Sequence, residues 1–267
     1  MPFTTSHPAI IMPLKRLWPN YFSLSGLVAG AMAPDFIFFL QLSTSDRGLS
    51  HSWTGLFMFC LPAGIVFCLV FHHLFKDEFV RHLPIFLKKR LSWLTAVGGI
   101  PSSFRQWMIL VVSVLVGVLS HFFWDSWTHG TGETVRAFPW LLNVVTVGKF
   151  DFPLYEIIHH SSSVIGGLYV VGKLMRKPDD KITNDNFRHV TNRNIFLFQA
   201  GGVIAAMLFA VFGIWLHGVY LAPENHNLYG RRFLGVTAGL STWAGYFYYV
   251  CAAGFLRRVR EGRLRRL

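Results

Sequence analysis

The chain has 267 residues, 52% of them hydrophobic and only 14% charged, with a mean hydropathy of +0.42 and a formal net charge of +12. Soluble domains carry about a quarter charged residues, because their surface must be hydrated. So few charges cannot coat a water-facing globule of this size, which excludes a soluble protein and turns much of the surface toward lipid.

In chain order, the opening MPFTTSHPAII lacks the basic start and long apolar run of a cleavable signal, so insertion falls to the apolar segments themselves. Two short apolar stretches follow, 8–14 and 21–42, separated by Lys15, Arg16, Trp18 and Pro19. Residues 1–42 are thus either an N-terminal hairpin that only partly enters the bilayer or a first span over 21–42. Crossing the hydrocarbon takes about 20 mainly apolar residues. Segments 53–75, 107–127, 195–216 and 233–256 meet that requirement, and 154–175 is apolar but opens on Glu156, His159 and His160. The prediction is an all-α, polytopic membrane helical bundle of about five or six transmembrane helices. No repeat or low-complexity linker divides it, so 1–267 reads as one integral membrane domain ending in a basic tail over 257–267. The three cysteines lie inside apolar runs without paired or metal-ligand spacing.

Lys and Arg set the orientation, because they are retained in cytoplasmic loops. Segments 76–106, 176–194 and 257–267 hold six, five and six of them, whereas the alternate segments 42–52, 128–154 and 218–232 hold one, two and two. The expected product is a multi-pass protein of a bacterial inner membrane with a cytoplasmic C-terminus. Its net positive charge follows from this bias and from contact with anionic membrane lipids. No aromatic-interleaved basic motif accompanies it, so no nucleic acid partner is expected.

Ionisable residues in or beside spans are costly and are functional candidates by default. Three clusters stand out: Ala33-Pro34-Asp35 with Ser50-His51-Ser52, the run Ser120-His121 to Asp125 and on to His129-Gly130, and Glu156-Ile157-Ile158-His159-His160. His121 and Asp125 are four apart, so a helix stacks them on one face. Such a pair can grip one ion, with nitrogen and oxygen each at about 2.0–2.2 Å. His129 lies one further turn along. The charge-derived topology gathers Asp35, His51, His121, Asp125, His129, Glu156, His159 and His160 at the outer face, as a metal site in a helical bundle requires. His72, His73, His82 and His189 fall among Lys and Arg on the other side and read as interfacial or solvated. His217 and His226 have no carboxylate at helical spacing. His7 joins the outer set only if the N-terminal hairpin forms.

The succession MPFTTSHP, GAMAPDF, SHSWTGLFMFCLPAG, SHFFWDSWTHG and IIHHSSSVIGG resembles an uncharacterised bacterial membrane family, domain-of-unknown-function family 4184, over nearly the whole chain. More distantly, the order His, Pro-Asp, His-Ser, His-x3-Asp is similar to YdjM-type inner-membrane proteins described as metal-dependent hydrolases. It is also similar to the zinc phospholipases C and the nucleases that share their ligand pattern. That resemblance implies His7, Asp35, His51, His121, Asp125 and His129 as metal ligands, with His160 added from the Glu156-x3-His160 pair. Those soluble enzymes use an N-terminal Trp and a late His-x3-Glu, where this sequence has Met1 and the reversed Glu156-x3-His160.

The leading expectation is a membrane-embedded metal-dependent hydrolase acting on a lipid or cell-envelope phosphoester, with a divalent metal as cofactor, zinc first and manganese second by its donor set. Asp35 and Glu156 are its candidate catalytic carboxylates, bridging metals or acting as general base. A non-catalytic metal-stabilised scaffold or transport-related protein is the alternative. Haem bound by facing histidines is a third reading, against which the carboxylates argue.

Overall fold

The computed structural model describes residues 4–42, 48–148, 150–175, 190–220 and 228–264, and the chain resolves into two compact units. The first contains residues 1–35, 49–68 and 101–174, and the second the remainder.

The axis of the first unit is the helix Phe104–Thr128. It starts where the Ser103 hydroxyl accepts the Gln106 N–H at 3.3 Å, and it stops as His129 turns extended ahead of Gly130 and Gly132. Its 25 residues reach roughly 37 Å at 1.5 Å each, enough for hydrocarbon about 30 Å thick. A second helix, Leu24–Met32, is capped by Ser23, whose own N–H donates to the Ser113 hydroxyl at 2.8 Å. The two run parallel at backbone contact. A Cβ on Gly30 would lie 2.1 Å from the Val114 carbonyl oxygen, and one on Gly117 would lie 2.5 Å from that of Leu27. Lipid tails are as apolar as Leu, so burial alone drives no helix pairing in a membrane. Close approach through small residues and the dispersion it brings do that work.

Ahead of this pair come Pro8–Ile11 and Pro13–Leu17, each with Pro in its first turn where the missing N–H costs nothing. Ile11 packs on Leu27 and Ala31, flanked by Leu14 and Phe22, so residues 8–32 double back as helix, turn and helix. Lys15 lies at that turn and donates from Nζ to the Phe22 carbonyl at 2.9 Å and to the Pro19 carbonyl. Helical backbone continues from Met32 through a 3-10 turn, Ala33–Asp35, into Phe36–Gln41; Pro34, lacking an N–H, sits in that break. The helical run Trp53–Arg81 carries a π turn, Leu56–Cys60, immediately before Pro62. A β-hairpin, β1 (Val144–Val147) and β2 (Phe150–Pro153), leads into the helix Leu154–Leu174, on which Gly166 faces Ser6 and Ala9.

The second unit pairs the long helices Asn192–Tyr220 and Leu228–Leu264, with Gly245 against Ala205 and Gly254 against Leu74. The Arg257 guanidinium bonds Glu78 at 2.6 Å, and His82 lies 3.3 Å from the same carboxyl while its ring stacks on Phe198. Lys76 is buried and donates to the carbonyls of Thr95 and Val97. His72, expected to be interfacial or solvated, is buried in a π turn. The basic segment 176–189, His189 and His226 lie outside the described residues.

Among the described residues, four helical runs are long and apolar enough to cross a membrane: Leu24–Gln41, Trp53–Arg81, Phe104–Thr128 and Asn192–Leu216. Segments 154–175 and 233–256 are helical as well. They fall short in apolarity: Glu156, His159, His160 and Ser161 to Ser163 dilute the first, and Ser241, Thr242 and three tyrosines the second. The fold is therefore the expected all-α membrane bundle, with four candidate spans among the described residues that satisfy both length and hydropathy.

Candidate metal centre

Helix Phe104–Thr128 stacks His121 over Asp125, with His121 Nε2 3.4 Å from Asp125 Oδ2. His121 is wholly buried, and its Nδ1 lies 2.8 Å from the Ala31 carbonyl oxygen. A carbonyl only accepts, so Nδ1 carries the proton and Nε2 presents a lone pair to the cluster. The glycine contact between the two helices is what brings that carbonyl within reach.

Asp35 comes from the 3-10 turn at the end of Leu24–Met32. The Thr4 hydroxyl donates to its Oδ2 at 2.7 Å, and its Oδ1 faces His51 Nε2 at 3.6 Å and His121 Nε2 at 3.9 Å. His51 precedes the capping residue Ser52 and lies 3.7 Å from Asp125 Oδ2. His7 follows the turn Thr4–Ser6 and stacks on His121, ring centroids 4.0 Å apart, with Nε2 3.7 Å from Asp125 Oδ1. Burial, aided by the neighbouring His121, lowers the His7 pKa to about 3, so this imidazole is neutral. Neutral imidazole is the form that binds metal.

These distances decide between two readings. Hydrogen bonds between such atoms span about 2.7–3.2 Å. Two ligands held at about 2.0–2.2 Å in a tetrahedron stand roughly 3.3–3.6 Å apart. The observed separations of 3.4–3.9 Å are too long for the first and close to the second. Both ring nitrogens of His7 and Nε2 of His121 are buried without a hydrogen bond, a costly arrangement that an ion would relieve. Among the described residues, no Lys or Arg pairs with Asp35, which is buried, or Asp125, which is mostly so, and the ionisable partners these carboxylates meet are imidazoles. Two ligand triads can hold an ion, His7–His121–Asp125 and Asp35–His51–His121, each with its ligand atoms within 4.8 Å of one another. Asp125 joins them: Oδ1 faces His7, while Oδ2 faces His51 and His121.

His129 caps the helix end. Its Nδ1 is 3.6 Å from Asp125 Oδ1 but 3.2 Å from the Asp125 main-chain carbonyl, to which it donates, and it belongs to neither triad. Its ring stands edge-on to that of His159 at 5.5 Å. Glu156 and His160 lie outside both triads too. Glu156 is half-buried beside the Tyr155 hydroxyl, and His160 is exposed. His159, grouped with Glu156 and His160 by sequence but not chosen as a ligand, is the buried member of its pair, its Nδ1 donating to the Thr128 carbonyl at 3.2 Å. The signal was available: on a helix, His159 shares a face with Ser162, Ser163 and Gly166, the side that packs inward.

The family profile described as Domain of unknown function (DUF4184) matches residues 1–249, and the chain belongs to that family. No curated protein and no solved structure matches it.

Proposed function

As a reading of this member of the family, we propose a membrane-embedded metal-dependent hydrolase that acts on a lipid or cell-envelope phosphoester at the outer face of a bacterial inner membrane, with its C-terminus cytoplasmic. One observation carries the reading: the convergence of His7, Asp35, His51, His121 and Asp125, from four separate chain segments, at separations suited to shared coordination. His7, His121 and Asp125 would hold one ion; Asp35 and His51 would complete the shell of that ion or hold a second, because the one free nitrogen of His121 serves a single ion. The mixed imidazole and carboxylate set favours zinc.

Bound there, the metal would supply an activated water and polarise a phosphoryl oxygen. The chain's own residues do the rest. Thr4 fixes Asp35 through Oδ2 and leaves Oδ1 to the site. The Ala31 carbonyl sets the His121 tautomer. Glu156, outside both triads and half-buried beside the Tyr155 hydroxyl, would serve as the general base.

A structural or transport-related metal site draws on a different observation, the burial of His7, Asp35 and His121, which leaves only His51 and Asp125 partly open. Metal quantitation on detergent-purified protein, followed by a headgroup-diverse phosphoester screen, separates the two. Metal-dependent turnover that His121→Ala abolishes supports the hydrolase. Bound metal with no turnover on any phosphoester leaves the structural reading in its place.

A further inference from the structure

The segment between the two helices that carry Asp125 and Glu156 is unusually apolar for a loop at a helix end. A 3-10 turn, Pro139–Leu142, and the β-hairpin make up most of it. In the hairpin Val145 pairs with Phe152 and Thr146 with Asp151. Side chains alternate along a strand, so Val145, Phe150 and Phe152 share one face while Thr146 and Asp151 share the other. The Thr146 hydroxyl donates to Asp151 at 2.7 Å, and Phe150 and Phe152 lie 6.2 Å apart across from it. Phe150 is 68% exposed, and Phe138, Trp140 and Leu142 are about half exposed.

A lone two-stranded hairpin is marginal in water, and an uncovered apolar face makes it more so. This face needs an apolar partner, and the aromatic contacts say which. Phe123, exposed on the membrane-crossing helix Phe104–Thr128, contacts Trp127 at 6.4 Å, and Trp127 stacks on Phe138 at 6.2 Å. The exposed surface of the spanning helix thus runs into the 138–152 segment through adjoining rings. Trp and Phe at that level match the aromatic belt that anchors proteins between headgroups and acyl chains.

We propose that residues 138–148 and 150–152 are an interfacial anchor: the apolar hairpin face, with Phe138, Trp140 and Leu142, lies in the outer leaflet at the membrane face of the metal centre. The surface stands on its own geometry. Its consequence for chemistry rests on the hydrolase reading: the substrate is then a bilayer phospholipid, taken laterally from the leaflet, and not a soluble phosphoester. The segment joins the end of the helix that carries His121 and Asp125 to the start of the helix that carries Glu156, which puts it at the same membrane face as the ligand set.

The test uses the full chain in phosphatidylcholine–phosphatidylglycerol nanodiscs. An environment-sensitive fluorophore is attached through Phe150→Cys or Val145→Cys, and through Asp151→Cys or Thr146→Cys for the opposite face; the native cysteines are buried. Lipids brominated near the headgroup should quench positions 145 and 150, and aqueous iodide should quench 146 and 151. Equal iodide quenching of both faces overturns the anchor, and so does shielding of 145 and 150 that tracks crosslinking to a second copy. Phe150→Asp should lower turnover of a bilayer-embedded phosphoester on the order of tenfold, the partition lost with a phenyl ring, while sparing a short-chain soluble analogue and the metal content. Lipid quenching without any hydrolysis sinks the hydrolase and leaves the anchor. Hydrolysis of soluble esters with aqueous 145 and 150 does the reverse.

Discussion

Gly30→Ala, a change of one methyl group well away from any ligand, should cost the protein its metal. The new Cβ would stand 2.1 Å from the Val114 carbonyl oxygen, where ordinary contact begins at 3.4 Å. The obstacle is backbone within a helix, so no side-chain rotation relieves it, and Leu24–Met32 must retreat by about 1.3 Å. The next residue on that helix is Ala31, whose carbonyl fixes the His121 tautomer at 2.8 Å, and three residues beyond it the chain reaches Pro34 and Asp35. A shift of that size is several times the roughly 0.2 Å tolerance of a metal–ligand bond. Overpacking should lower stability by about 1–3 kcal/mol. Loss of the His121 contact alone should lower metal affinity about 10–100-fold. Competition against a chromophoric chelator in detergent measures the second, and melting with and without metal measures the first. Gly167→Ala, whose Cβ would meet nothing within 4 Å, is the matched control. Were Gly30→Ala to bind metal within twofold of Gly167→Ala, helix contact would not be what positions His121, and the reasoning would fail.

Four further outcomes follow from the same geometry. Asp125→Asn leaves helix spacing intact but removes the carboxylate that faces His7, His51 and His121 together, so metal content should fall by more than in Asp35→Asn, as elemental analysis would report. Thr4→Val frees Asp35 Oδ2 and should weaken metal binding about tenfold with little change in melting, read by the same chelator titration. Glu156→Gln should keep its metal and lose turnover by about 10²–10⁴-fold; equal activity in the variant and wild type would remove Glu156 from the mechanism. Finally, a cysteine at Arg136 should react with an impermeant reagent in intact cells and one at Lys89 should not, and the opposite pattern would invert the assigned orientation.

Much of the architecture is written in local pattern. Long apolar runs such as 107–127 and 195–216 must become helices in lipid, because no other single segment satisfies its own backbone there. That His121 sits over Asp125 needs only the helical repeat. The membership of the family rests on ordered short motifs that lie along most of the chain. What no local pattern contains is how far apart separate segments finish. Residues 8–32 admit a hairpin as readily as a span until Ile11 finds Leu27 and Lys15 finds the turn carbonyls. His159 and His160 are equal as letters, and only the packing of Leu154–Leu174 buries the first and exposes the second. The division of Asp125, one oxygen toward His7 and the other toward His51 and His121, depends on glycines that let two helices touch. Periodicity follows from bonds a few residues long, whereas the convergence of ligands is a sum over contacts between distant segments, and that sum exists only once the helices have packed.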